Sequence, residues 1–458
     1  MGRNATIGEN ADSVGLFLEE ICFNLCLLGH ARNDGIDPDQ LEIHQEVDLL
    51  LGNGSFADLK VTLPDHSHYF LEVKFFYSAQ RLLSSLHRKY GRDSTSAAGA
   101  AKLILVIDTE CYPDWADLHQ RLIDGLHQDL TLELWDEPEV RRRIKDTLRV
   151  EIDDIRGDRI QQIRDAIHQA KGKAAFGAKW NEDSLQKTLL WHFGVWRLNQ
   201  LHLEANLEPR DILPPGSYKD VVVMIADLCA FSSFVRDTRD SAVMSHCLTS
   251  FYSKARYEII NAGGMLYLYV GDAVIAFFGL PKNTSNILGD ALACAEALID
   301  VGNSISREWQ RKIDRKQEKH GIHIGMAVGD GDIVPLQPFD AANLGAVSDS
   351  INMASRLLET AGPDEIVVSN TFFRRLAANS RGSFEELEEV NAKNLGRILS
   401  WKWAPRDSRT GDLPEEQLNR SPFDGERDEA AATECTPLGN SADLGLPVAC
   451  SAPSHSHH

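Results

Sequence analysis

Residues 221–226 (VVVMIA) form a continuous apolar run that ends in Asp227, the pattern of a buried strand that delivers a carboxylate to a sheet edge. A carboxylate in that position suits a hard divalent cation. The plainer alternative is that Asp227 caps the helix that follows. Next come Leu228-Cys229-Ala230-Phe231-Ser232, where the amides of Ala230, Phe231 and Ser232 at a helix start would meet phosphate oxygens. A second carboxylate shifts the balance. After a turn at 261–264 (NAGG), strand-like runs at 265–270 and 273–278 are joined by Gly271-Asp272, a hairpin with Asp272 in its turn. Asp227 and Asp272 together could present two metal ions to a triphosphate, the arrangement for in-line displacement at phosphorus. Residues 321–328 (GIHIGMAV) then read as a strand and 350–356 (SINMASR) as a helix. Asn352 and Arg356 are four apart and share a face of that helix. An amide and a guanidinium there could orient a ribose and neutralise phosphoryl charge, whereas the pair in isolation reads as a solvated stripe.

These residues need a scaffold, and the composition supplies one. The chain has 458 residues, enough for two or three domains. Its 47 Lys and Arg face 68 Asp and Glu, a net charge of −21, which disfavours broad contact with nucleic acid or anionic membranes. The eight cysteines form no repeated C-x-x-C, so neither a zinc ribbon nor a disulfide framework is expected. Cys22 and Cys26 share a helix face, where packing explains them better than metal binding. The N-terminus lacks a secretory pattern, and no run approaches the ~20 apolar residues of a membrane span, so a cytoplasmic protein is expected.

The chain divides into 1–205, a mixed α/β region; 206–217, a Pro-rich linker (EPRD, then PPG); 218–405, regular α/β; and 406–458, a polar tail expected to be disordered. In the first region, 14–29 is a helix, 57–63, 68–75 and 101–108 are strands, and 78–90, 115–128, 139–171 and 183–205 are helical. Asp58 opens one of these strands, and Glu72-Val73-Lys74 sits in the next. That D…E-x-K arrangement resembles the PD-(D/E)xK nuclease core, with Glu72 and Lys74 on one strand face and Gln80 on the following helix. A salt-bridged strand pair and an inactive nuclease-like sensor are the other readings of Asp58, Glu72 and Lys74.

Four ordered segments of the second region resemble the catalytic domain of the class III nucleotidyl cyclases: DLCAFS at 227–232, GGMLYLYVGDAVIAFFG at 263–279, GIHIGMAVGDG at 321–331 and SDSINMASRL at 348–357. The resemblance implies a ferredoxin-like α/β fold acting as a head-to-tail homodimer with sites across its interface. It places the two metal-binding aspartates on Asp227 and Asp272, with the carbonyl of Leu228 completing one site for Mn²⁺ or Mg²⁺, two per site. The transition-state residues fall on Asn352 and Arg356, from the partner subunit, and a phosphate-binding lysine on Lys393. The implied reaction is attack of a ribose 3′-oxygen on the α-phosphorus with release of pyrophosphate, one metal acidifying the 3′-hydroxyl and the other steadying the leaving phosphates.

The base-reading positions depart from the family. Adenylyl cyclases carry Lys and guanylyl cyclases Glu four residues before the second metal aspartate; here that position is Leu268, flanked by Tyr267 and Tyr269. The second reader, seven residues before the Asn, is Gly345. Without those groups the usual hydrogen bonds to a purine cannot form. The pattern resembles the pyrimidine cyclases of bacterial Pycsar anti-phage systems, which implies a cyclic UMP or cyclic CMP product that activates a separate effector. UTP is taken ahead of CTP, although these residues do not distinguish them. The competing readings are an adenylyl or guanylyl cyclase, and a nuclease or nucleic-acid-binding protein with a vestigial cyclase domain.

Overall fold

A computed structural model describes residues 4–403, apart from 38–39, 50–54, 76, 96, 98, 154, 156–158, 283–285, 336–343, 378–380, 388–389 and 393–395. The expected tail at 406–458 lies outside the described residues, as does Lys393.

The first region is built on one sheet: β1 (Glu42–Asp48), β2 (Phe56–Thr62), β3 (His68–Val73), β4 (Ala100–Val106) and β5 (Thr131–Trp135), in that spatial order. The first three strands are antiparallel, and β3, β4 and β5 run parallel. Helices Ala79–Tyr90 and Trp115–Gly125 bury Leu82, Leu86, Leu118 and Leu122 against one face. Helices Asn4–Gly29, Glu137–Leu148 and Arg159–Phe176 cover the other. Both faces are covered, which is why β3 and β4 read as nearly continuous apolar runs.

Several expectations are corrected. β1 and β5 carry alternating charge (EIHQEVD, TLELW) and were not read as strands. The helix expected over 139–171 is two, the first ended by Arg149 in the left-handed region at φ 62°. The helical stretch Val14–Asp34 is long and apolar enough to cross a membrane by length and composition, contrary to the sequence reading, and half of it is buried inside the protein. Cys22 and Cys26 are buried in that packing, and burial pushes the Cys26 thiol up to about 11, in keeping with a packing role. Within 206–217, Pro209 starts the short helix Pro209–Ile212, where its missing N–H costs nothing, and Ile212 and Leu213 are buried.

The second region carries β6 (Gly216–Leu228), β7 (Met265–Val270), β8 (Ala273–Phe278), β9 (Ile322–Pro335), β10 (Leu344–Val347), β11 (Ile366–Ser369), β12 (Phe384–Glu386), β13 (Val390–Ala392), β14 (Gly396–Ile398) and β15 (Ser400–Trp403). Its sheet runs β12-β15-β11-β9-β6-β8-β7, with β10 on β9 and a separate β13–β14 hairpin. Helices Ser241–Asn261 and Ile287–Ile313 pack on the face that holds Val222, Met224 and Ala226. Helix Asp349–Thr360 packs on the opposite face, with Val221, Val223 and Ile225. Alternation along β6 places Asp227 on that second face.

Candidate active site

Asp227 stands one residue before the end of β6, paired with Ala273 on β8 and His323 on β9. It does not cap the following helix: Ala230 holds that position, without a side-chain cap. Asp272 lies in the two-residue turn between the paired residues Val270 and Ala273, and the turn is made possible by Gly271 at φ 62°. Antiparallel pairing therefore brings Asp272 beside Asp227, and the two carboxyl groups are hydrogen-bonded. Burial and then the charge of Asp227 push the Asp272 carboxyl up to about 7. His323, which the sequence reading missed, completes the cluster. Its Nε2 lies 3.2 Å from Asp227 Oδ2, and its Nδ1 donates to the Ala361 carbonyl at 3.2 Å. Burial works against the imidazolium, but the hydrogen bonds to Asp227 and Ala361 outweigh it, and the His323 pKa is raised.

Two carboxyl groups forced together, one of them harder to ionise than usual, are a donor set that a divalent cation would relieve. Among the described residues no group of three or more His, Cys, Asp or Glu side chains is arranged to hold a metal ion by itself. A cation at Asp227 and Asp272 would take further ligands from substrate and water, the usual habit of Mg²⁺.

Beyond Asp227 the strand ends at Leu228, whose side chain is buried in the core. Ala230 adopts φ 57°, and the seven-residue helix Phe231–Asp237 follows. Phe231 packs edge-on against Trp309 with ring centroids 5.9 Å apart, while Ser232 is exposed. The amides of Phe231 and Ser232 open the first helical turn, where no intrahelical acceptor exists.

Asn352 and Arg356 share a face of helix Asp349–Thr360. Asn352 is exposed, and Arg356 pairs with Glu359 one turn on. Among the described residues no hydrogen bond or ion pair joins either to Asp227 or Asp272.

The base-pocket residues separate. A bulge between Leu266 and Leu268 leaves Tyr267 unpaired in β7. Its ring lies 4.9 Å from that of Phe277, and its hydroxyl accepts the Ala346 amide at 3.0 Å, next to Gly345. Tyr267 thus links β7 to β10. Leu268 is half-buried. Tyr269 faces away: its ring stacks on Tyr252 at 4.2 Å, and its hydroxyl donates to the Tyr252 carbonyl at 2.6 Å. The bulge that separates the two tyrosines has no clear sequence signature.

The N-terminal residues Asp58, Glu72 and Lys74 do converge. Lys74 Nζ lies 2.8 Å from Asp58 and 2.5 Å from Glu72. Gln80, expected in the same cleft, is exposed at the start of its helix. The residues that reach in are Lys89, which donates to both Glu72 oxygens at 2.9 and 2.8 Å, and Tyr90, which donates to one at 2.6 Å. Glu72 is fully buried among them. Burial raises the Asp58 pKa, but Lys74 and Lys89 outweigh it and hold the carboxyl below its ordinary range.

Residues 213–402 match the family described as the adenylate and guanylate cyclase catalytic domain. The match covers the second region alone, which is similar to nucleotide cyclase catalytic domains of the adenylyl/guanylyl type, a class that in general depends on Mg²⁺ or Mn²⁺. Among curated proteins, an uncharacterized protein of Mycobacterium tuberculosis is 27% identical over 166 residues, 36% of this chain and 27% of its own length. An uncharacterized protein of Mycobacterium bovis is 24% identical over 247 residues, 54% of this chain and 43% of its own. The chain therefore spans less than half the length of these relatives. Among solved structures, the adenylyl cyclase CyaB from P. aeruginosa is similar at 17% identity and a TM-score of 0.36, over 43% of this chain and 100% of that one. The guanylate cyclase domain of RhGC from Catenaria anguillulae is similar at 18% identity and a TM-score of 0.34, over 42% of this chain and 98% of that one.

Proposed function

We propose that the protein is a metal-dependent pyrimidine nucleotide cyclase that converts UTP, or CTP, to the 3′,5′-cyclic monophosphate and pyrophosphate. The observation that carries the reading is the Asp227–Asp272 pair beside a base site holding Leu268 and Gly345, with Tyr267 reaching across to Ala346. Neither Leu268 nor Gly345 offers a side-chain hydrogen bond to a purine.

In this reading Asp227 and Asp272, with the Leu228 carbonyl, hold two Mn²⁺ or Mg²⁺ ions. Bound there, the ions would acidify the 3′-hydroxyl and neutralise charge on the leaving phosphates. The 3′-hydroxyl gives up its proton to solvent, its oxygen bonds to the α-phosphorus as the α–β bridging bond breaks, and pyrophosphate departs with that bridging oxygen. The amides of Ala230, Phe231 and Ser232 receive phosphate oxygens, and Lys393 adds a charge to them. Asn352 and Arg356 point outward, so a second copy of the chain, in a homodimer, supplies them to steady the ribose and the charge at phosphorus. The product serves as a cytoplasmic second messenger for a separate effector in anti-phage defence, and the N-terminal domain is regulatory. Glu72 is sealed by Lys74, Lys89 and Tyr90, which favours a nuclease-like scaffold over a working nuclease.

The test is incubation of the pure protein with each of the four NTPs and Mn²⁺. UTP or CTP should be cyclised fastest. Faster turnover of ATP or GTP would overturn the pyrimidine reading, and no cyclic product from any NTP would overturn the cyclase reading.

A further inference from the structure

The turn that carries Asp272 projects from the end of the β7–β8 hairpin, with Val270 beside it 56% exposed. A two-residue turn at such an end frays readily unless something holds it. The Tyr252 hydroxyl donates to the Gly271 carbonyl, one residue from Asp272. The attachment is reciprocal, because Tyr269 on the same hairpin stacks on Tyr252 and donates to its carbonyl at 2.6 Å. Helix Ser241–Asn261 thus grips the hairpin at two levels.

The same helix is fixed further along to the N-terminal domain. Lys254 pairs with Glu46 and lies 3.1 Å from Glu19. Tyr257 packs on Phe23 with ring centroids 4.1 Å apart and meets Asn24 at 3.3 Å. Glu258 accepts His44 Nδ1 at 3.0 Å and the Gln45 amide at 2.7 Å, and Asn261 donates to the Ile43 carbonyl at 3.3 Å. Residues 254, 257, 258 and 261 form one helical face; Lys254, Glu258 and Asn261 meet β1, and Tyr257 meets helix Asn4–Gly29. Lys254 and Glu258 are buried, so their pairings fix the register of the contact: a displaced partner would leave a buried charge unpaired.

We infer that Tyr252 is a positioning residue for the Asp272 turn, and that helix Ser241–Asn261 ties that turn to β1 of the N-terminal domain. The catalytic part of this inference rests on the cyclase reading; the mechanical part does not. A change in the N-terminal domain that moves β1 would displace the helix and loosen one of the two metal-binding aspartates.

The experiment compares the full-length wild type, Tyr252→Phe and His44→Ala by amide hydrogen exchange over residues 270–273 and by steady-state cyclisation. Tyr252→Phe keeps the ring stacking and deletes the bond to Gly271. His44 is partly exposed, and its removal leaves Glu258 the Gln45 amide, so both variants should fold. Tyr252→Phe should speed exchange at the turn by about five- to tenfold, the effect of one lost hydrogen bond, and lower kcat with little change in nucleotide KM. His44→Ala should speed exchange at the same amides, although residue 270 lies 226 positions further along the chain (270 − 44). Unchanged exchange in Tyr252→Phe, or faster exchange with unchanged kcat, overturns the positioning role. Unchanged turn exchange in His44→Ala overturns the link to the N-terminal domain. A wild type without cyclase activity, whose turn still responds to both substitutions, fails the cyclase reading and upholds the mechanical tie.

Discussion

His323 donates to the Ala361 carbonyl from Nδ1 and meets Asp227 Oδ2 with Nε2, so the imidazole bridges the loop after helix Asp349–Thr360 and the carboxylate at the end of β6. One oxygen of Asp227 is thereby held in place. Loss of a group that supports a metal ligand typically costs about 10–100-fold in metal affinity or activity. His323→Phe should therefore raise the Mn²⁺ concentration needed for half-maximal activity, and His323→Gln, which retains a donor, should recover part of the loss. A Mn²⁺ titration of cyclase activity reads both.

Because no hydrogen bond or ion pair among the described residues joins Asp227 or Asp272 to Asn352 or Arg356, the shared-site proposal makes a sharp prediction. Asp227→Ala and Arg356→Ala should each lose roughly two or more orders of magnitude in rate. Mixed together, they should restore part of the activity through one intact site per heterodimer. A mixture no more active than either variant, with heterodimer formation verified, would count against a site built from two chains.

In the pyrimidine-cyclase proposal, Tyr267, bonded to the Ala346 amide, is the side chain taken to narrow the base site. Tyr267→Ala should raise kcat/KM for ATP or GTP relative to UTP by about tenfold or more, since shape rather than hydrogen bonding would exclude the purine. Ratios measured by competition between nucleotides check this directly.

Glu72→Ala would strand the Lys89 ammonium and the Tyr90 hydroxyl in a buried site, whereas Lys74 would keep Asp58. Breaking a buried ion pair from one side costs about 3–5 kcal/mol, so a fall in denaturant midpoint of corresponding size is expected. Cyclase activity per folded molecule should persist, and neither wild type nor variant should cut DNA or RNA. Metal-dependent cleavage abolished by Glu72→Ala would reinstate the nuclease reading.

One titration belongs to the domain interface. Glu19 and Glu46 share the Lys254 ammonium, with Glu308 and Asp58 adding further negative charge nearby. Burial above all pushes the Glu19 carboxyl from an ordinary 4.5 up to about 7. The folded state then holds a proton that the unfolded state releases above 4.5. This carboxyl's contribution is fully present below 4.5 and is lost as pH rises through about 7. Urea midpoints between pH 5 and 8 should fall more steeply in the wild type than in Glu19→Gln.

Much of the second region was legible in the sequence because its signals are local. The apolar run into Asp227, the Gly-Asp turn at 271–272 and the spacing of Asn352 and Arg356 each depend on a few neighbouring residues. Covalent geometry and side-chain periodicity turn such spacings into a strand end, a hairpin and a helix face. The D…E-x-K spacing likewise predicted that Asp58, Glu72 and Lys74 would meet. What the spacing could not supply was the partner brought from elsewhere in the chain. His323 reaches Asp227 through strand pairing across 96 positions, and Lys89 and Tyr90, rather than Gln80, fill the N-terminal cluster because of how their helix packs. Tyr267 and Tyr269 look equivalent in sequence, yet a bulge sends one toward Ala346 and the other onto Tyr252. β1 and β5 escaped notice because alternating charge hides strands whose apolar side faces a core assembled from distant helices. Local periodicity determined which elements carry the carboxylates; long-range packing alone decided which groups neutralise, brace or bury them.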